Sequence, residues 1–403
     1  MMILEIRLEN FFSIKDEILL DFRAAKINTR GARELPANVI DYKGEKILKS
    51  IGLFGANASG KSNILKAIKS CSEVILDSHQ YNEGKVFGFV PFKLKGYSDK
   101  LSRFSIDFIH DDVEYEYSFA LTAKAIQQES LYYYPNGRRA KVFTRDETKG
   151  TSKTEVYSFT DGAIPRPFDV ATSTSRKTLF LSRASQMDRE LCRKLYCFFM
   201  YDFLLDSVPV DSKWIKQSFA KYRELILHAL SICDSDISGI KLISENNILI
   251  RVDTFHKHSP SIPFDLFSEE SNGTNQLFGM LFLLLDVVKN GRALMLDEFD
   301  LSLHTKLAEF VIDLFHAGSQ AQFLFASHNT SLIDIKRFRR DQIVFVNKKD
   351  DGSTELYSLY DHKDFRENMD AEKGYLQGRF DAIPLADSSL AALKKLLEDG
   401  EPQ

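Results

Sequence analysis

Residues 55–62 read Gly55-Ala56-Asn57-Ala58-Ser59-Gly60-Lys61-Ser62, a glycine-bounded loop that ends in a lysine and a hydroxyl. Glycines at this spacing let the backbone curl so that successive N–H groups face a phosphate. Lys61 can then reach the β- and γ-phosphates, and the Ser62 hydroxyl can sit on Mg²⁺. Asn63 falls in the first turn of the helix expected from about Ser62, whose N-terminal end adds positive potential. A second set of chemistry-bearing residues closes the apolar run ALMLDE, residues 293–298. Asp297 can hold Mg²⁺ through water, and Glu298 stands where an attacking water must lose its proton. Taken alone, two acids at a strand end are equally an ordinary solvated turn.

Two further positions carry weight only in company. His328, in FLFASHN (323–329), can reach a γ-phosphate if its strand neighbours the one that feeds the phosphate loop; an isolated histidine is more often structural. Ser271 and the backbone around Gly273, in SNGTN (271–275), would form an anion-binding surface at the start of an apolar helix. In isolation they read as a common N-cap.

These groups need elements to hold them. SIGLF (50–54) is a buried strand stopping at Gly55, and Ile64, Leu65 and Ile68 share one face of the following helix. Residues 2–8 and 17–22 predict an N-terminal hairpin, and 86–160, rich in Phe, Tyr and Val with period-two stretches, a strand-rich antiparallel lobe. Between 170 and 235 leucines and aromatics recur at helical spacing, as in a compact helical insertion. Strands return from about 238. Thereafter helix 275–289, strand 293–296, helix 302–316, strand 322–326 and strands near 343–346 and 355–359 imply a mainly parallel sheet flanked by helices. The expected fold class is α/β, divided as an N-terminal lobe (1–165), a helical insertion (166–237) and a C-terminal lobe (238–403).

Composition narrows the setting. Four cysteines without a CxxC pair fit a reducing cytosol, and the N-terminus lacks a basic flank and apolar core, so the expected location is cytoplasmic. Leu277 to Val288 is too short to span a bilayer and contains Asp286, so it reads as a buried helix and no membrane partner is expected. A net charge of −4 leaves nucleic-acid contact to local patches: Lys336, Arg337, Arg339 and Arg340; Arg138, Arg139 and Lys141; and bases at 176–194.

In chain order, GANASGKS, SNGT, LMLDEFDLSLH and ASHN resemble the ABC ATPase set of phosphate loop, signature, Walker B with D-loop, and switch histidine. The split arrangement looks like the RecF, SMC and OLD branch, and EIRLENFFSIKDEILLDF, with Asn10–Phe11, is similar to that branch's N-terminal strand pair. VPFKL (90–94), EYEYSF (114–119), EESNGT (269–274), DEFDLSLH (297–304), SHNTSLID (327–334) and GYLQGRFDAIP (374–384) resemble the short AAA-type ATPases of abortive-infection and anti-phage loci, the RloA-like group. The resemblance implies an ABC-type head with an antiparallel β lobe, ATP and Mg²⁺ as cofactors, and a homodimer formed through the nucleotide site, open to higher assembly. It also implies that Lys61 and Ser62 bind phosphate and metal, Asp297 supports the metal, Glu298 is the general base and His328 the switch. Ser271 and Gly273 would meet ATP held by the opposite subunit, with Asp300 to His304 as the D-loop. The sequence departs in its short SNGTN signature, and Gln80, Gln127 and Gln128 all remain candidates for the Q-loop glutamine.

Two roles follow from the resemblance. In one, the chain is a dimeric switch or sensor in anti-phage defence that controls a separate nuclease or toxin, since about 75 residues after His328 are too few for a further nuclease domain. In that reading Asp350–Asp351 form a hairpin loop. In the other, it is a RecF-like DNA-repair ATPase that clamps DNA directly.

Overall fold

The computed structural model describes residues 1–27, 35–82, 84–94, 96–205, 212–245, 248–301, 303–366, 368–380 and Leu397. The helical pattern SLAALKKLLEDG, apart from Leu397, and the last four residues of GYLQGRFDAIP lie outside them, as does Ser302.

The chain opens with strands β1 (Met2–Glu9) and β2 (Ile18–Asp21), a short hairpin of β3 (Val39–Tyr42) and β4 (Glu45–Leu48), then β5 (Ser50–Phe54) and helix α1 (Lys61–Asp77). Next come β6 (Ser102–His110), β7 (Val113–Leu121), β8 (Ile126–Tyr133), β9 (Ala140–Asp146), the single turn α2 (Lys153–Val156) and β10 (Tyr157–Phe159). Helices α3 (Pro167–Thr172), α4 (Phe180–Gln186) and α5 (Glu190–Cys197) lead to β11 (Phe203–Leu205) and α6 (Ser212–Cys233). Strands β12 (Ile237–Glu245), β13 (Ile248–His256) and β14 (Ser259–Asp265) and the turn α7 (Leu266–Glu269) precede α8 (Asn272–Asn290). The rest is β15 (Ala293–Leu296), α9 (Thr305–Ala317), β16 (Gln322–Ser327), β17 (Ile343–Lys348), β18 (Thr354–Ser358) and α10 (Ala371–Leu376).

A six-stranded sheet, in the order β11-β15-β16-β5-β17-β18, forms the centre. All its pairings are parallel except β17 with β18. A buried parallel strand needs apolar side chains on both faces, which is why β5, β15 and β16 read as continuous apolar runs. Ile51, Leu53, Met295, Leu324 and Ala326 enter one core with Ile64 and Ile68 of α1 and Phe108 and Tyr117 of the antiparallel lobe. Phe54, Leu294, Phe323 and Phe325 enter a second core with Leu277 and Leu281 of α8 and Val311 and Phe315 of α9. The architecture is α/β, a mainly parallel central sheet flanked by helices as expected, with a seven-stranded antiparallel sheet, β10-β9-β8-β7-β6-β1-β2, packed on one side.

Three details differ from the sequence reading. Strands of the antiparallel lobe begin at Ser102, and the stretch before them is irregular chain that buries Phe87, Phe89 and Phe92. The helical segment contains β11, which pairs with β15 and so stitches that segment into the central sheet. The helix expected from 302 starts at Thr305, because the His304 side chain caps it by accepting from the Lys306 N–H. Leu277 to Val288 lies within α8 as a buried helix, and among the described residues no helix is long and apolar enough to cross a membrane.

A polar network crosses the second core. Lys49 Nζ donates to the carbonyls of His316 at 2.9 Å and Gly318 at 2.6 Å, where α9 ends, and His316 Nε2 lies 2.8 Å from Ser50 Oγ. Burial, helped by the charges of Lys49 and Arg337, pushes the His316 imidazole down to about 3, so it is neutral in the fold. Between pH 6.5 and about 3 the unfolded chain therefore binds more protons than the native one, so stability rises with pH there and is lost as the pH drops through that window. Denaturant titration is expected to show wild type losing about 1.4 kcal/mol more than His316→Gln between pH 7.5 and 5.5. Parallel losses in the two proteins refute this.

Candidate functional site

Because β15, β16 and β5 are parallel neighbours, with Leu296 opposite Phe325 and Ser327 opposite Phe54, their C-terminal ends emerge at one edge of the sheet. Asp297 and Glu298, His328 and Gly55 leave the sheet there together. Ligands of open α/β sheets bind at this edge.

The phosphate loop is shaped by close approaches that only glycine permits. A Cβ on Gly55 would lie 2.3 Å from the Val346 carbonyl oxygen on β17. Gly60, at φ 116°, caps α1, and a Cβ there would lie 2.0 Å from Thr354 Oγ1 on β18. Ala58 also adopts a left-handed φ of 61°. Asn57 and Ala58 are exposed at the loop tip, Ala56 and Ser62 are half-buried, and Ser59 and Lys61 are buried. Lys61 Nζ donates to the carbonyls of Gly55 at 2.7 Å and Ala56 at 3.0 Å. Burial pulls its ammonium down to about 8, while the facing charges of Asp297 and Glu298 act the other way.

The residues fit a magnesium–triphosphate group. Ser59 Oγ and Asp297 Oδ1 are buried without a hydrogen-bond partner among the described residues, a costly state that a phosphate or a metal-bound water relieves. Glu298 is held at φ 47°, a backbone conformation that costs a non-glycine residue about 1–3 kcal/mol and that clusters at functional sites. Its carboxylate is half exposed and stands 3.6 Å from His328 Nε2.

The loop's support was not visible in the motif. Thr354 Oγ1 donates to the Ser59 carbonyl at 3.0 Å and lies 2.7 Å from Ser13 Oγ, which also accepts from Asn63 Nδ2 at 2.8 Å. The β1–β2 turn and the β17–β18 hairpin thus clamp the loop. Asp351 lies in that hairpin loop, as the sequence reading placed it, and receives Lys15 Nζ at 3.0 Å. No spacing signal links Ser13 to Thr354.

Ser271 and Gly273 lie elsewhere. Ser271 caps α8, accepting from the Thr274 N–H at 3.2 Å, and with Gly273, His304 and Lys306 it lines an open groove of about 750 Å³ to which no phosphate-loop residue contributes. Asp300 turns inward: it is 8% exposed and its Oδ2 accepts from Ser327 Oγ at 2.7 Å, so it ties the segment after β15 to the end of β16. Burial raises its carboxyl above the usual range. Its neighbour Leu301, 75% exposed, is the side chain that projects.

None of the three glutamines lies on a strand of the central sheet. Gln80 follows the far end of α1, roughly 25 Å from the loop at 1.5 Å per residue. Gln127 and Gln128 lie on β8, where they meet Arg176 and Arg103. Several candidate nucleic-acid bases are engaged within the chain. Arg337 pairs with Asp313 and Glu309, Arg339 is buried against Asp341, and Arg139 makes a two-pronged contact with Glu116.

Residues 50–334, well over half of the chain, match the family described as "AAA domain, putative AbiEii toxin, Type IV TA system". No curated protein matches the chain. Similar solved structures include the SMC head domain from Thermotoga maritima, 15% identical, covering 89% of this chain and 99% of that one at a TM-score of 0.42. An SMC head bound to the C-winged helix domain of ScpA is 16% identical, with coverages of 89% and 97% and a TM-score of 0.43. The head domain from Pyrococcus yayanosii, with a coiled coil and joint, is 13% identical, with coverages of 94% and 99% and a TM-score of 0.45.

Proposed function

From its place in the AbiEii-type AAA-domain family, to which this chain belongs, we propose that it binds Mg-ATP and hydrolyses it only when two copies close on the nucleotide, acting as a switch in anti-phage defence that controls a separate effector. One observation carries the reading. The phosphate loop, Asp297, Glu298 and His328 share one sheet edge, whereas Ser271 and Gly273 open on a groove that the loop does not reach. Donors at the start of α8 can then meet a γ-phosphate only from a second copy.

The residue roles follow. Lys61 leaves the Gly55 and Ala56 carbonyls for the β- and γ-phosphates, and Ser62 and Asp297 would hold magnesium, which would supply charge neutralisation to the phosphate oxygens. Glu298 takes the proton from the attacking water, and His328 beside it senses the γ-phosphate. The N-terminus of the partner's α8 adds hydrogen-bond donors to the charge that develops in the transition state. Loss of the γ-phosphate removes that bridge and opens the dimer, so ATP serves as a latch. The toxin–antitoxin description of the family supports a defence setting for the effector.

Complementation tests the composite site. Lys61→Ala and Ser271→Arg are each expected to be inactive. Mixed, they form hybrid dimers with one intact site, restoring about a quarter of wild-type turnover per chain if pairing is random. A mixture as inactive as its parts would remove the trans arrangement.

A further inference from the structure

The signature serine does not sit on a free loop. Glu270, immediately before it, has a side chain only 7% exposed, and its Oε1 accepts from His256 Nε2 at 2.9 Å and from the Thr254 hydroxyl. Thr254 and His256 are two apart on β13 and face the same side, so both reach one carboxylate. The His256 ring is held in turn by Asp236, whose Oδ2 lies 3.5 Å from Nδ1, and by Phe264, which packs edge-on at 4.7 Å. The chain leading to Glu270 is fixed separately. Asp265 caps α7 by accepting from the Phe267 and Ser268 N–H groups, and its own N–H donates to Glu269.

We propose that His256, acting through Glu270, is a positioning residue that latches the Ser271–Gly273 signature to the β12–β13–β14 sheet, so that the donors at the start of α8 are presented at a fixed height to the partner's nucleotide. This rests on the trans-acting site proposed above. The physical reason is leverage. Ser271 Oγ is already engaged by its own helix, through the Thr274 N–H and hydroxyl, so nothing it does sets the helix start relative to the lobe. The Glu270 carboxylate is the group that spans from β13 to the residue before the cap. Without its two donors, a buried carboxylate is left uncompensated, the segment rearranges to reach water, and the cap moves with it. Displacing a reacting group by about 1 Å costs up to roughly a hundredfold in rate even when the changed residue is remote. Nucleotide capture by the isolated phosphate loop is untouched, because no atom of the latch lies on it.

The test separates the two levels. In the Glu298→Gln background, Mg-ATP affinity is measured by calorimetry at protein concentrations below dimerisation, and ATP-dependent dimer formation by light scattering across a concentration series. His256→Ala is expected to leave monomer affinity within about threefold while raising the concentration needed for dimerisation between about tenfold and a hundredfold. On the Glu298 protein it should lower kcat by a similar factor. His256→Gln keeps a donor at the Nε2 position and is expected to restore both readings to within about threefold. Thr254→Val, which removes only the second donor, should shift them the same way by less, and it keeps the proposal testable if His256→Ala does not fold. His258, exposed on the far side of Asp236, serves as control, and His258→Ala should match wild type. Failure of the Glu298→Gln protein itself to dimerise with ATP would sink the parent reading. Normal dimerisation by that protein together with unaltered dimerisation and kcat in folded His256→Ala would overturn the latch alone, as would a His256→Gln variant no better than His256→Ala.

Discussion

Glu298→Gln is expected to lower ATP turnover by about 10²- to 10⁴-fold, the usual contribution of a positioned general base, while ATP still binds. Three observations set the size of the effect. The carboxylate stands at the strand-end edge with the phosphate loop, it is half exposed and so open to a water, and its backbone is held at φ 47°. A strained backbone costing about 1–3 kcal/mol persists only where surrounding structure forces it, and here the force comes from β15 ending between the parallel strands and Phe299 diving into the second core. Glutamine keeps the shape and the hydrogen-bonding reach but cannot accept the proton, so the closed dimer should accumulate. Steady-state phosphate release together with gel filtration in ATP measures both. Turnover within threefold of wild type, or release of phosphate without any ATP-stabilised dimer, would end the assignment.

The phosphate loop and the parallel sheet were legible because their determinants are local. Gly55 and Gly60 answer to backbone geometry, and buried strands such as SIGLF must be apolar on both faces. Asp297, Glu298 and His328 were legible as a set because each follows an apolar strand, and parallel strands align their C-terminal ends. Asp300 shows the limit: the resemblance of DEFDLSLH implies a D-loop position for it, but its inward turn toward Ser327 depends on a strand 27 residues away. Ser13 and Thr354, 341 positions apart, meet only because two hairpins close over the loop, and neither residue type announces it. The β3–β4 hairpin escaped notice for a different reason: it is only eight strand residues long and too short for periodicity to mark it. The Glu270–His256 contact likewise depends on β13 being folded back against α7, a fact of tertiary pairing.

The loop clamp makes Gly60→Ala a severely damaging substitution. The new Cβ would meet Thr354 Oγ1 at 2.0 Å, and the backbone must hold φ 116°, which side-chain-bearing residues rarely adopt. The two costs are separable. Gly44, at φ 87° with open space around it, carries only the backbone cost, so Gly44→Ala should destabilise by about 1–2 kcal/mol and leave ATP affinity alone. Gly60→Ala adds the collision, and relief requires either Thr354 to swing away, losing its hydrogen bonds to Ser59 and Ser13, or the loop to open. Either route scatters the N–H groups that cradle a phosphate, so ATP affinity should fall at least about a hundredfold along with stability. Adding Thr354→Ala removes the 2.0 Å approach but leaves the 3.0 Å approaches of the position-354 Cβ and Ser13 Oγ, and the backbone strain. Denaturant titrations of the double mutant should therefore show a favourable coupling of about 0.5–3 kcal/mol, with affinity only partly recovered. Strictly additive effects would mean that the loop and the β18 hydroxyl do not press on one another, and the clamp would lose its basis.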